Sequence, residues 1–344
     1  MLTIPAKQPI NIYSDWKSEL SNCISSIDQL LQLLGLSSKD LNASRLASQG
    51  FSIKVPQHYA QLMEYGNPED PLLKQVLPIE AELNQDPSFS VDPVNESEYN
   101  PVPGIVHKYR NRVLMIISPN CAINCRYCFR RHFPYQENRQ SKQQWLQALD
   151  YLKDRSEINE VIYSGGDPLA ANDNFLSWLT QQIETIKHIK RLRIHSRLPV
   201  VIPSRIDTQL LTWLSNSRLK PTMVLHINHA NEIDVKLCQS VEKLKTAGIT
   251  VLNQSVLLKG VNDSSQALIN LSEKLFDAGI MPYYLHLLDP VQGASHFDIP
   301  VDKALKIFSH MQAELPGFLL PKLVQEKAGE TSKSLIIQTY KKGC

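Results

Sequence analysis

Cys121, Cys125 and Cys128 stand within eight residues, in the string CAINCRYC with spacing C-x3-C-x2-C. One tight loop with that spacing can present three thiolates to a single inorganic centre. Three cysteines leave a tetrahedral zinc site one ligand short. They can hold three irons of a [4Fe–4S] cluster and leave the fourth iron open to a ligand. Spacing is a weak guide to the metal, so a zinc site completed by a distant residue, or free core thiols, remain alternatives. A second reactive-looking group is Ser164-Gly165-Gly166-Asp167-Pro168. Paired glycines allow a backbone to approach a ligand closely, and Asp167 is suited to hold an ammonium group; the other reading is an ordinary strand-to-helix turn. His195-Ser196-Arg197, His226-Ile227-Asn228-His229, Asn253-Gln254-Ser255 and Asp289 complete the polar groups of interest. A lone histidine is more often a packed residue than a ligand, although His226 and His229 also read as a metal pair.

These groups share a position relative to the elements that must carry them. Short apolar runs, the signature of strands buried on both faces, occur at 113–117, 161–163, 192–194, 223–225, 249–252 and 283–285. Helix-like segments lie between and after them, near 141–154, 173–188, 207–217, 231–247, 263–279 and 302–314. Such alternation implies parallel pairing, and six units point to an α/β fold, a partial (β/α)6 TIM-like barrel. Barrels carry function where strands end and loops begin. Each polar group above follows one of the apolar runs.

The segment before the barrel is different. Residues 1 to about 50 are polar and helix-like, with one helix starting at Ser14-Asp15-Trp16 and another running over Ile24–Leu36 to end near Gly35. From 51 to 105 prolines are frequent, which predicts short helices joined by extended links. The expected divisions are 1–105, an N-terminal region packing on the barrel; 106–318, the barrel core; and 319–344, a C-terminal segment. Repeats and low-complexity tracts are not evident.

Composition narrows the function classes. The 344 residues are 42% hydrophobic, ample for a buried core, and carry a net charge of +2. That charge is too small to suggest a nucleic-acid or charged-membrane partner. An apolar run long enough for a membrane span is missing, and the first residues lack the core of a secretion signal. Six cysteines, with Cys23, Cys238 and Cys344 scattered, do not form a disulfide framework and fit a reducing cytoplasm.

The cysteine loop, the GGDP string and the six-unit pattern resemble the radical S-adenosylmethionine superfamily. More closely, PVPG at 101–104, CRYCFRR, SGGDPL, HSRLPVVIPSRI and NQSVLLKGVND resemble the lysine 2,3-aminomutase family, in order, over about 51–340. The nearest branch is the one that supplies β-lysine for modifying translation elongation factor P: the chain stops soon after Lys333, and GETSK at 329–333 stands where catabolic members have a run of glycines.

The resemblance implies three cofactors. A [4Fe–4S] cluster would be held by Cys121, Cys125 and Cys128. S-adenosylmethionine would chelate its open iron and lie near Gly165, Gly166, Asp167 and His226. Pyridoxal 5'-phosphate would form a Schiff base with Lys333, its phosphate near Lys108, Arg112 and Gln254. Substrate lysine would place its α-carboxylate on Arg130, whose guanidinium fork suits a carboxylate, and its distal ammonium between Asp289 and Glu326. Catabolic members have Asp where this chain has Glu326, which bears on stereochemistry and rate. Also implied are conversion of L-α-lysine to β-lysine as the R isomer, a ligase that takes the product to elongation factor P, an electron donor such as flavodoxin, and a cytoplasmic location. The first 50 residues read as an outer helical layer or a homodimer contact. Alternatives are a radical aminomutase for another amino acid, such as glutamate or arginine, and a non-catalytic metal-binding scaffold.

Overall fold

A computed structural model describes residues 15–38 and 41–337; Ser14 and Cys344 lie outside the described residues. Nine strands form one sheet in sequential order: β1 Ile105–Tyr109, β2 Arg112–Ser118, β3 Glu160–Gly165, β4 Arg191–Ser196, β5 Lys220–Leu225, β6 Thr250–Val256, β7 Met281–His286, β8 Lys322–Gln325 and β9 Ser334–Leu335. Strands β2 through β8 pair in parallel. β1 is antiparallel to β2, and β9 to β8. The six expected strands are β2–β7, and the sheet extends beyond them by β1, β8 and β9. Those three escape an apolar-run reading because IVHKY, KLVQ and SL carry little uninterrupted apolar sequence.

The strands alternate within the barrel. On β4, Leu192 and Ile194 enter the apolar core, while Arg193 and His195 line the central cavity. Helices 142–153, 173–184, 208–215, 235–246 and 265–277 separate the parallel strands, and 301–314 follows β7. Five of them start on side-chain caps, because Ser, Asn and Asp can accept an otherwise orphaned backbone N–H. Asn172, Asp207, Asp234 and Ser264 each accept from the third helical residue, and Ser141 forms a reciprocal box with Gln144.

The N-terminal region shares the barrel's core: Trp16, Leu30, Val55, Tyr59 and Leu72 pack in the same apolar cluster as Val161 and Leu192. Asp15 caps helix Trp16–Ser21. The second helix begins at Ile27 rather than Ile24, because Ile24 pairs its backbone with Val55. It ends as expected at Gly35, which takes the left-handed conformation at φ 66°.

Candidate functional site

A cavity of about 990 Å³ runs down the barrel axis and takes in the cysteine loop, the C-terminal ends of the strands and Lys333. Cys121, Cys125, Cys128, Arg130, Gly165, Gly166, Asp167, His226, Gln254, Asp289, Glu326, Lys108, Arg112 and Lys333 all line it. Every expected site residue therefore faces one space. Several of them are already bonded to protein groups.

The cysteine loop is braced from outside the barrel. Arg126, fully buried, donates from Nε and Nη2 to Glu82 at 2.8 and 2.5 Å, and from Nη1 to the Phe51 carbonyl at 2.6 Å. Arg131 reaches the same Glu82 at 2.9 Å. Lys54 donates to the Cys121 carbonyl at 2.7 Å. The proline-rich stretch thus fixes the loop's backbone without engaging its thiols. Burial, reinforced by the neighbouring thiols, pushes the Cys128 thiol up to about 11 and Cys121 well above its ordinary value. Bare thiolates are disfavoured there unless a cation joins them. Among the described residues no three His, Cys, Asp or Glu side chains converge on one metal ion; a cluster, with a separate iron for each thiolate, asks for a wider triangle.

The GGDP turn makes close contacts with the protein itself. A Cβ on Gly165, at φ +127°, would lie 2.5 Å from the Ser118 carbonyl oxygen; one on Gly166 would lie 2.7 Å from that of Pro119. The close approach these glycines permit is to the backbone entering the cysteine loop. Asp167 does not present an open carboxylate to an ammonium group. One oxygen accepts from Ser196 Oγ and Leu169 N, at 2.7 and 3.0 Å; the other accepts from Arg197 N and Leu198 N, at 2.8 and 2.9 Å. It ties the end of β3 to the end of β4.

Arg130 is likewise engaged with protein groups. Its Nε and Nη2 donate to Glu96 at 2.6 and 2.5 Å, and Nη1 donates to Ser164 Oγ at 2.8 Å and the Gly165 carbonyl at 3.3 Å. Glu96 holds the guanidinium charged and pushes its pKa up against the opposing effect of burial.

The opposite wall is built by the β8–β9 hairpin. Gln325 pairs with Ser334, so the next residues outward, Glu326 and Lys333, face each other. Lys333 Nζ donates to Glu326 at 2.5 Å. Glu326 also accepts from Tyr109 Oη at 2.5 Å and pairs with Lys108 at 3.1 Å. Lys108 Nζ also donates to the Val94 carbonyl at 3.4 Å. Despite burial, Lys333 and these donors lower the Glu326 carboxyl to about 2. Arg112 stacks 4.3 Å from the Tyr109 ring and donates to the Asn111 side chain.

Buried polar atoms of the cavity-lining residues without a hydrogen-bond partner include His195 Nε2, Gln254 Oε1, His286 Nε2 and Asp289 Oδ1, beside the Nε atoms of Arg131, Arg197 and Arg193, the last ion-paired with Glu160 at 3.0 Å. Burial lowers the His226 pKa to about 4 and those of His195 and His286 well below the usual range, so the imidazoles are neutral. Burial pushes the Asp289 carboxyl up to about 7, with Lys333 opposing the rise. Buried groups without partners are costly, and here they mark where bound molecules belong. A wall of donors, acceptors and one lysine fits the polar edges of an aromatic phosphate cofactor and an amino acid, just as the thiol corner fits a cluster.

Glu96, Glu82, His286, Glu232 and the roles of Arg126 and Arg197 escaped the sequence reading. Arg193/His195 and Tyr284/His286 did leave a signal, polar residues two apart in otherwise apolar strands. Glu96, in an irregular proline-rich stretch, left none.

Known proteins resemble this chain over most of its length. Residues 115–212 match the Radical SAM superfamily model. The L-lysine 2,3-aminomutase of Haemophilus influenzae is 51% identical over 97% of this chain and 99% of its own. That of Escherichia coli is 50% identical over 93% of this chain and 94% of its own. A solved radical SAM methyltransferase from Sphaerobacter thermophilus aligns with TM-score 0.46 and 15% identity, over 64% of this chain and 68% of that one. Lysine 2,3-aminomutases are isomerases that work with a [4Fe–4S] cluster, S-adenosylmethionine and pyridoxal phosphate. The chain belongs to the lysine 2,3-aminomutase family of radical SAM enzymes.

Proposed function

We propose that this enzyme converts L-α-lysine to (R)-β-lysine and that its product is attached to translation elongation factor P by a dedicated ligase. The observation that carries the reading is the single cavity shared by the cysteine loop and Lys333. When bound, the cluster with S-adenosylmethionine supplies a 5′-deoxyadenosyl radical, and pyridoxal phosphate an electron-accepting ring. Cys121, Cys125 and Cys128 hold the cluster, and Lys333 anchors the ring. Lys108, Arg112 and Gln254 receive the cofactor phosphate. Gly165, Gly166, Asp167 and His226 shape the wall beside S-adenosylmethionine, Asp167 by fixing strand ends.

Arg130, oriented by Glu96, offers its remaining Nη2 N–H to the substrate carboxylate. Asp289 receives the distal ammonium with its unpartnered Oδ1, while Glu326 supplies a second negative charge. The two acids disfavour glutamate, whose distal carboxylate they would repel. GETSK at 329–333, which stands where catabolic members have a run of glycines, supports the elongation-factor branch, whereas Glu326 in place of the catabolic Asp bears on stereochemistry and rate. The division at 105 and 318, a flavodoxin-type electron donor, a cytoplasmic location and a homodimer accompany this reading; among the described residues no helix is long and apolar enough to cross a membrane.

The test is anaerobic reconstitution with iron, sulfide and pyridoxal phosphate, followed by incubation with L-lysine, S-adenosylmethionine and a reductant. Chiral chromatography should find (R)-β-lysine, and the elongation-factor ligase should consume it. Turnover of glutamate or arginine in preference to lysine, with cofactors fully loaded, would overturn the substrate. The S product, or a product the ligase refuses, would overturn the branch.

A further inference from the structure

Arg197 lies behind the cysteine loop, and the chemistry assigned above gives it no task. Its residue is 5% exposed. Nη1 donates to Cys125 Sγ at 2.8 Å and also bonds Tyr127 Oη. Nη2 donates to Glu232 at 2.9 Å, Gln75 Oε1 at 2.8 Å and Tyr59 Oη at 3.0 Å. The backbone N–H of Arg197 is held by Asp167, so the residue is fixed at both ends. Glu232, fully buried, is fixed as well: its other oxygen accepts the N–H groups of Asn228 and His229 at 2.9 and 3.0 Å. Holding a guanidinium this rigidly against a sulfur does more than fill space. A lysine, with a single point charge, would not span the thiol, two tyrosines, a glutamine and a carboxylate at once.

We propose that Arg197 sets the reduction potential of the cluster through its N–H···S bond to Cys125, with Glu232 as the counter-charge that limits the effect. This rests on the reading that the cysteine loop carries a [4Fe–4S] cluster. Each reduction adds one electron to a buried, negatively charged assembly of sulfurs and irons. A donor and a positive charge beside a ligating sulfur stabilise that added charge, and hydrogen bonds to the sulfurs are among the established determinants of cluster potential. Glu232 acts in the opposite sense. The pair therefore gives two levers of opposite sign on one property.

The experiment is a potentiometric measurement followed by electron paramagnetic resonance on the reconstituted full-length enzyme, with iron content determined first. Arg197→Met should lower the ratio of reduced to oxidised cluster at fixed potential by about tenfold or more, equivalent to about 59 mV downward for one electron. Glu232→Gln, which keeps an acceptor oxygen for the Asn228 and His229 N–H groups, should move the midpoint upward. A merely structural disturbance, such as water reaching the cluster, would move both variants the same way. Shifts of the same sign, or none in either variant, overturn the proposal. If Arg197→Met fails to retain iron, Glu232→Gln decides alone, and a midpoint at or below wild type overturns it. Failure of the wild-type protein to load a cluster would instead strike the reading on which the proposal rests.

Discussion

The two walls of the cavity are built on opposite principles. Around the cysteine loop, charged groups are already bonded to protein: Arg126 and Arg131 to Glu82, Arg130 to Glu96, Arg197 to Glu232, and Asp167 to four donors. Across the cavity, His195, Gln254, His286 and Asp289 each carry a buried polar atom without a partner. The first wall, apart from the Nε atoms of Arg131 and Arg197, is a bonded socket that fixes the geometry of three thiols. The second is left incomplete, and molecules that enter must complete it. A radical enzyme needs both: a rigid seat for the group that generates the radical, and a wall whose polar groups hold the substrate in one pose, so that only one C–H bond is presented.

The largest expected effect breaks the incomplete wall at its anchor. Lys333→Ala should remove the absorbance of lysine-bound pyridoxal phosphate and reduce turnover by about three orders of magnitude or more, as losses of covalent catalytic groups do. Iron content should stay at the wild-type level, since Lys333 touches nothing on the bonded wall. Persistence of that absorbance in the variant would remove Lys333 from its role.

The bonded wall breaks differently. Arg126 and Glu82 are both essentially buried, at 0% and 1% side-chain exposure, and removing one partner strands the other's charge. Glu82→Ala should therefore cost about 3–5 kcal/mol of stability and lower iron retention, because Arg126 and Arg131 both lose their carboxylate. Denaturant unfolding and iron analysis check this. Unchanged stability would show that the socket is not held by its ion pairs.

Asp289 sharpens the contrast through pH. Its carboxyl is pushed up to about 7 by burial, so in the free enzyme the charged form is lost as pH falls below about 7. Only the charged form attracts the lysine ammonium. The kcat/KM for lysine should accordingly fall as pH drops from 8 to 6 by up to about tenfold per unit below 7. Asp289→Asn should lower kcat/KM at pH 8 by on the order of 10- to 100-fold, the worth of a hydrogen bond to a charged group, and flatten that limb of the profile. A wild-type profile retained in Asp289→Asn would assign the titration to another group.

How much of this was legible in sequence differs between the walls in the same way. Strand–helix alternation exposed β2–β7, because strands buried on both faces must be continuously apolar. It could not expose the edge strands β1 and β9 or the four-residue β8 beside β9, short elements whose pairing is set by tertiary contact. The thiols were evident from spacing alone, and the residue–family resemblance supplied Lys333, which composition would have left as a surface lysine. What stayed hidden was pairing across long sequence distances: nothing local in Glu96 or Glu82 announces Arg130 or Arg126. Glycine pairs are ambiguous for a related reason, since Gly165 and Gly166 admit a close backbone whether it belongs to a ligand or, as found, to Ser118 and Pro119.

Glu326 stands on the incomplete wall yet is bonded to three protein side chains, and the smallest expected effect tests whether it serves the fold or the substrate. No backbone pairing joins β1 to β9 among the described residues. Glu326 bridges that gap with side-chain bonds, to Tyr109 and Lys108 on β1 and to Lys333 beside β9. Shortening it by one methylene in Glu326→Asp keeps the charge and withdraws its reach from at least one of the three partners. The cost of one weakened bond is about 0.5–1.5 kcal/mol. If Glu326 chiefly closes the barrel, Glu326→Asp should lower stability by that amount and leave KM for lysine within about twofold. If it chiefly meets substrate, stability should hold and KM should rise by up to about tenfold. Paired measurement of unfolding and KM separates the two, and the three bonds already made to protein favour the first outcome.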